Sequence, residues 1–174
     1  MGMAFIQSEQ FDKASGRLEE IWEQDQSDLT VGEYLAVAYL NTEDRRALPR
    51  LKQQAFEIIG KLAASRARVT FLVLHSHEKL AWLQGREMNQ FCRGRLSIVD
   101  RHLIYVASKG EKASEHSFDV TPTAFKGIAL HKDDTRGTFD LKLAQGNFFF
   151  ATRNRNRDEA IVIVDLANRQ LGFK

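Results

Sequence analysis

Cys92-Arg93-Gly94-Arg95-Leu96-Ser97-Ile98-Val99-Asp100-Arg101-His102-Leu103-Ile104-Tyr105-Val106 is the stretch whose reading decides the fold. Two runs of strand-forming residues are split by Asp100-Arg101, and the second run continues through Ala107 and Ser108. Two strands joined by a two-residue polar break make a β-hairpin. Working outward toward the N terminus, Phe71, Val73, His75 and His77 alternate with Thr70, Leu72, Leu74 and Ser76. This period of two predicts a strand from about Val69, apolar on both faces at its start. Toward the C terminus, residues 109–115 form a polar connection containing Gly110. His116 to Val120 and Ala124 to His131 then read as strands jointed at Thr121-Pro122-Thr123. Asp133, Asp134 and Gly137 make the next turn, and Thr138 to Ala144 and Asn147 to Thr152 flank Gln145-Gly146 as a second tight hairpin. The count is seven short strands, antiparallel in tendency.

Ala160-Ile161-Val162-Ile163-Val164 is β-branched and would be a strand by propensity alone. Asn156 and Asp158, however, offer helix N-caps, and Glu159 suits a first turn. Ala160, Ile163, Val164, Ala167 and Leu171 share one helical face that ends at Gly172. We read a helix, greasy on one side, suited to closing the end of a small barrel.

Before about Ala67 the period is helical. Phe11, Ala14, Leu18, Ile21 and Trp22 make one stripe; Leu35, Ala36, Tyr39 and Leu40 a second; Leu48, Leu51, Ala55, Phe56, Ile59 and Leu62 a third. Pro49 is tolerable only in or before the first turn of that third helix. Three short amphipathic helices with short turns predict an antiparallel helical array. The fold class expected is therefore α+β, with a helical segment over residues 1–67 and a seven-stranded domain over residues 68–174.

Composition agrees. The chain has 174 residues, 43% hydrophobic and 28% charged, which is the balance of a packed core and excludes disorder and collagen-like structure. It holds two prolines where average usage would give about nine, so regular structure dominates. Pro49 and Pro122 both punctuate elements, which makes Ser65-Arg66-Ala67-Arg68 a short junction without spacer residues, and the two parts are expected to sit together as one unit. The single cysteine, Cys92, can form no internal disulfide, which fits a reducing compartment or a protein that does not depend on oxidation, and the setting expected is cytoplasmic or a soluble portion of a larger protein. No stretch approaches the ~18 apolar residues of a membrane span, and Met1 to Ile6 is too short for a secretory signal.

Two resemblances sharpen this. The order Phe11, Ala14, Leu18, Ile21, then Leu35, Ala36 and Tyr39, resembles the junction of two tetratricopeptide repeats. The register fails after Tyr39, because Leu48 and Lys52 stand where a small and an aromatic residue belong; the rival reading is a plain helical bundle. The hairpin quoted above resembles the signature of GRAM-type pleckstrin-homology-like domains. His116 to Val120, Phe125-Lys126-Gly127-Ile128, Phe139 to Leu143, Phe148-Phe149-Phe150 and the terminal helix complete that family's order. The resemblance covers about residues 69–172. It implies seven strands in two near-orthogonal sheets plugged at one end by the C-terminal helix. The chain departs from the family over residues 78–91, where Leu80, Trp82 and Leu83 could extend the first strand or form a turn over the barrel.

Chemistry-bearing motifs are sparse. There is no G-x-G-x-x-G and no phosphate loop. His75 and His77 could project to one face of a strand toward metal, with Cys92, His102 and His116 as further donors, but polar strand-end residues are the plainer reading. His77-Glu78 begins a zinc-protease motif that Ala81 breaks. Cys92 with a histidine would supply a nucleophile and base, but no Asn or Asp can be assigned from the sequence as the orienting residue, and a small core cysteine is the plainer reading. We therefore expect no enzyme, no metal and no cofactor. Arg153, Arg155 and Arg157, just before the last helix, are candidates for anion contacts, against the plainer reading of a solvated loop. By the pleckstrin-homology resemblance, basic residues on the first two strands and their loop would contact a ligand: Arg86, Arg93 and Arg95. Residues 1–67 carry a net charge of −3 and residues 68–174 one of +5, too dispersed for a nucleic-acid binder. The expected function is a noncatalytic binding or scaffold module for protein or peptide, through a helical groove, a sheet edge or the face beside the C-terminal helix; the alternative is an anionic lipid headgroup. The chain's start, in what reads as the second half of a repeat, and its end just after Gly172 fit a soluble piece of a longer protein.

Overall fold

The computed structural model describes residues 2–76, 91–109, 116–131 and 136–172. The chain divides into two compact units, Met1–Thr70 and Phe71–Lys174.

The first unit is four helices: α1 (Gly2–Gln7), α2 (Phe11–Gln24), α3 (Leu29–Leu40) and α4 (Leu48–Ala64). The first was not anticipated, since six residues carry too little periodicity to read. The α2 stripe is Phe11, Ala14, Leu18 and Trp22, all buried, whereas Ile21 is 46% exposed. The spacing of three, four and four defines a face one side chain wide, and Ile21 stands about 100° round from Trp22. In α3 the whole run Leu35 to Leu40 is buried, because α1, α2 and α4 all pack against this helix. Phe56 and Leu48 of the third stripe are only half-buried. Asp28 caps α3, its Oδ1 accepting the N–H groups of Thr30 and Val31 at 3.1 Å. Pro49 sits in the first turn of α4, where a missing N–H costs nothing.

The second unit is an antiparallel sheet and a helix: β1 (Val69–Ser76), β2 (Phe91–Val99), β3 (His102–Lys109), β4 (Phe118–Val120), β5 (Phe125–Leu130), β6 (Thr138–Leu143), β7 (Gly146–Thr152) and α5 (Arg157–Leu171). This is the element order expected: helices, seven strands, one C-terminal helix. The two near-orthogonal sheets implied by the family resemblance are replaced by one continuous seven-stranded sheet, ordered β4-β3-β2-β1-β7-β6-β5. The β2–β3 turn is the two residues expected, with Asp100 at φ 43° and Arg101 at φ 65°, the left-handed pair that matches strand twist. The strand expected from His116 begins only at Phe118.

The sheet curls. β4 and β7 are four places apart in the order, about 19 Å in a flat sheet. Yet the rings of Phe118 and Phe148 lie 5.0 Å apart between centroids. Helix α5 likewise touches β2 and β3 as well as β5, β6 and β7, which only a curled sheet allows. It buries Glu159, Ala160, Ile163, Leu166, Ala167 and Leu171. Leu166 takes the place expected of Val164, which is half-buried. Asn156 caps the helix through Oδ1 to the N–H groups of Asp158 and Glu159, and Gly172 ends it at φ 82°. Capping and a buried face thus outweigh the β-propensity of residues 160–164.

Candidate functional site

The interior of the curled sheet is filled by rings. His75 is directly opposite Phe150, Phe150 opposite Phe139, and Tyr105 opposite both Leu96 and Phe118. His75 lies 5.1 Å from Phe150, 5.8 Å from Tyr105 and 5.1 Å from His116, centroid to centroid. His75 is buried, so the plainer reading of it as a polar strand-end residue is corrected: period-two alternation puts it on the same inward face as Phe71 and Val73. Among the described residues no group of three or more His, Cys, Asp or Glu is placed to hold a metal. His77 lies outside the described residues. Cys92 is fully buried, and its carbonyl accepts the Tyr105 hydroxyl at 3.2 Å.

Burial pushes the Tyr105 phenol well above its ordinary value, with the charge Cys92 would carry as a thiolate adding to the effect. Tyr39 in α3 shifts the same way, through burial first and the Glu19 carboxylate second. A raised phenol holds its proton in the folded state after the unfolded chain has lost it near pH ~10. Stability contributed by both residues is therefore complete below that pH and falls as pH rises above it. Urea midpoints at pH 8 and pH 11 should differ, with Tyr39→Phe and Tyr105→Phe each narrowing the gap; identical midpoints would rule this out.

The outer surface of the same sheet holds the groups that can meet a partner. Along β2 the buried Cys92, Gly94, Leu96 and Ile98 face the ring-filled interior; on the opposite face Arg93, Arg95 and Val99 are half-buried and Phe91 and Ser97 are buried, so the two arginines point away from the ring cluster. Arg95 stands directly opposite Val106, Ser97 opposite Ile104, and Ile104 opposite Asp119. Val106 is 52% exposed, the most exposed large apolar side chain described. Asp119 Oδ1 lies 2.8 Å from His102 Nδ1, closing the β4 side of the face. Arginine, valine, isoleucine and an imidazole–carboxylate pair thus share one three-stranded surface.

Of the residues expected to bind a ligand, Arg93 and Arg95 are brought together on this face, while Arg86, Leu80, Trp82 and Leu83 lie outside the described residues. Arg153 and Arg155 fall in the β7–α5 turn and Arg157 opens α5, and in the sheet β1 separates β7 from β2. The Arg153 N–H donates to the Leu72 carbonyl at 2.9 Å, and Arg155 takes φ 51°. The N terminus of α5 that would draw an anion is already served by the Asn156 cap and by Asp158 and Glu159 in its first turn. Val106 was not among the residues expected at the site, although strand alternation from an inward Tyr105 places its immediate neighbour outside. The His102–Asp119 pair depends on the β3–β4 register, which no local pattern encodes.

The two edges of the sheet are blunted. β4 is only three residues long and turns a charged Asp119 outward, and α5 reaches β5, where Asn168 Nδ2 donates to the Ile128 carbonyl at 3.2 Å. Strand addition, one of the expected routes, would meet that side-chain contact at Ile128 on the β5 edge and only three strand residues on the β4 edge.

No protein-family model matches the sequence, and no curated protein matches it. Among solved structures the chain is similar to the N-terminal PH domain of human ARAP2, at 12% identity and TM-score 0.43, over 60% of this chain and 78% of that one. It is similar to the PH domain of human oxysterol-binding protein-related protein 11, at 12% identity and TM-score 0.39, over 59% and 79%. The N-terminally truncated linker-DH/PH domains of p115-RhoGEF match at 11% identity and TM-score 0.45, over 93% of this chain and 56% of that one.

Proposed function

We propose that this chain is a noncatalytic binding module whose partner is a protein or peptide, held on the outer face of β2, β3 and β4. On this reading residues 68–174 are a pleckstrin-homology-like domain of the GRAM type, residues 1–67 a tetratricopeptide-like helical segment, and the setting is cytoplasmic. The observation that carries the proposal is the exposure of Val106 beside Arg95 and Ile104, with His102 and Asp119 at the rim. An apolar centre with arginine and a mixed-charge border is the composition of protein interfaces. A nucleic acid or a strongly anionic membrane would be met by a denser run of basic side chains, without Asp119 within the face.

The test is selection from a displayed random-peptide library on the immobilised full chain. Binders should be enriched, lost on Val106→Asp and kept on Ile161→Asp, an equally greasy exposed position on α5. Absence of enrichment, or loss with both variants, would overturn the proposal. The second reading, an anionic lipid headgroup, is favoured by Arg93 and Arg95 sharing one face. Co-sedimentation with phosphatidylserine vesicles but not phosphatidylcholine vesicles, abolished by salt and by Arg95→Glu, would select it instead.

A further inference from the structure

We infer that the partner segment is an extended, acidic and apolar peptide that lays alternate carboxylates along β2 and an apolar side chain on Val106. This deepens the proposed recognition face and rests on it. Arg93 and Arg95 are two residues apart on one side of a strand, so their backbone positions are separated by about 6.8 Å. Carboxylates at alternate positions of an extended peptide have that same spacing, and guanidinium groups bind carboxylates through paired hydrogen bonds. Across the strand Arg95 meets Val106, and the next pair on that face is buried Ser97 with half-buried Ile104. The surface therefore passes from cationic to apolar within one strand spacing.

At its far border Asp119 is held by His102 at 2.8 Å, so a basic residue of the partner would compete with an existing contact there. Charge complementarity thus concentrates on the arginine side. The β3 bulge at Ser108, where Arg93 pairs with Lys109 and Gly94 with Ala107, adds twist at the arginine end, and the Ser108 hydroxyl donates to the Arg93 carbonyl at 3.2 Å.

The experiment counts residues in the pools selected from the displayed library by wild type, Arg95→Glu and Arg95→Lys. Wild type should enrich Asp and Glu at positions two apart, beside Leu, Ile or Phe. Arg95→Glu should lower recovery of that pool by roughly tenfold and raise Lys and Arg in its own selected pool. Arg95→Lys should keep the acidic preference at reduced recovery. An enriched wild-type pool without acidic bias, or an acidic pool indifferent to Arg95→Glu, would overturn this inference while leaving the binding face in place. No enriched pool at all would overturn the binding face itself. Circular dichroism of each variant, expected to match wild type because position 95 points away from the core, separates lost binding from lost folding.

Discussion

Phe150→Ala is expected to destabilise the second unit by about 3–5 kcal/mol, a large share of the 5–15 kcal/mol that holds a typical domain together. Phe150 is fully buried in the middle of β7 and meets rings from four other positions: His75 at 5.1 Å, Tyr105 at 5.0 Å, Phe118 at 6.4 Å and Phe139 at 5.5 Å. These come from β1, β3, β4 and β6, so one side chain ties together strands that a flat sheet would hold far apart. Removing it deletes buried apolar area and leaves a cavity that rigid neighbouring rings collapse into poorly. Phe139 offers a milder comparison, since it stacks on Phe150 at 17° but makes no ring contact across the curl among the described residues. Amide hydrogen exchange in urea should show protection lost together in β1, β6 and β7, with Ile161→Ala, an exposed position, changing little. A loss below about 1 kcal/mol would mean that the curl is held by something other than this ring cluster.

The element order was readable because its signals are local. Period two marks β1 and β3, a two-residue polar break marks the β2–β3 turn, and Asn156 with Gly172 brackets α5 despite five β-branched or small residues in a row. What escaped were properties set by distant segments. Ile21 follows the apolar spacing yet faces solvent, because burial around α2 is decided by where α3 lies. Val37 and Ala38 broke the expected stripe and are buried all the same, since α3 is enclosed on several sides. His75 read as a strand-end polar residue and proved to be part of the ring cluster, a fact set by its pairing with Phe150. For the candidate site the balance is similar. Arg93 and Arg95 could be named from residue type and resemblance, whereas the Val106, Ile104 and Asp119 that give their surface its character follow only from cross-strand register.

Gly94→Ala should cost about 3 kcal/mol, the upper end of the usual range for overpacking, and should weaken binding as well. A Cβ at this position would stand 2.5 Å from Tyr105 Cε2, 2.8 Å from Tyr105 Cζ and 2.6 Å from the Val106 carbonyl oxygen. A ring can tilt away from one added carbon if its surroundings yield. Tyr105 is fully buried, its hydroxyl fixed to the Cys92 carbonyl and its ring in contact with His75, Phe118 and Phe150. The Val106 oxygen is backbone and moves only with the strand. Relief must therefore come from β2 shifting against β3, which also displaces Arg93 and Arg95 relative to Val106. A double-mutant cycle separates the two obstacles. Tyr105→Leu should remove only part of the Gly94→Ala cost, the remainder belonging to the Val106 carbonyl. Full rescue by Tyr105→Leu would show that the ring alone demands glycine, and a cost-free Gly94→Ala would show that β2 and β3 have room to part without disturbing the core.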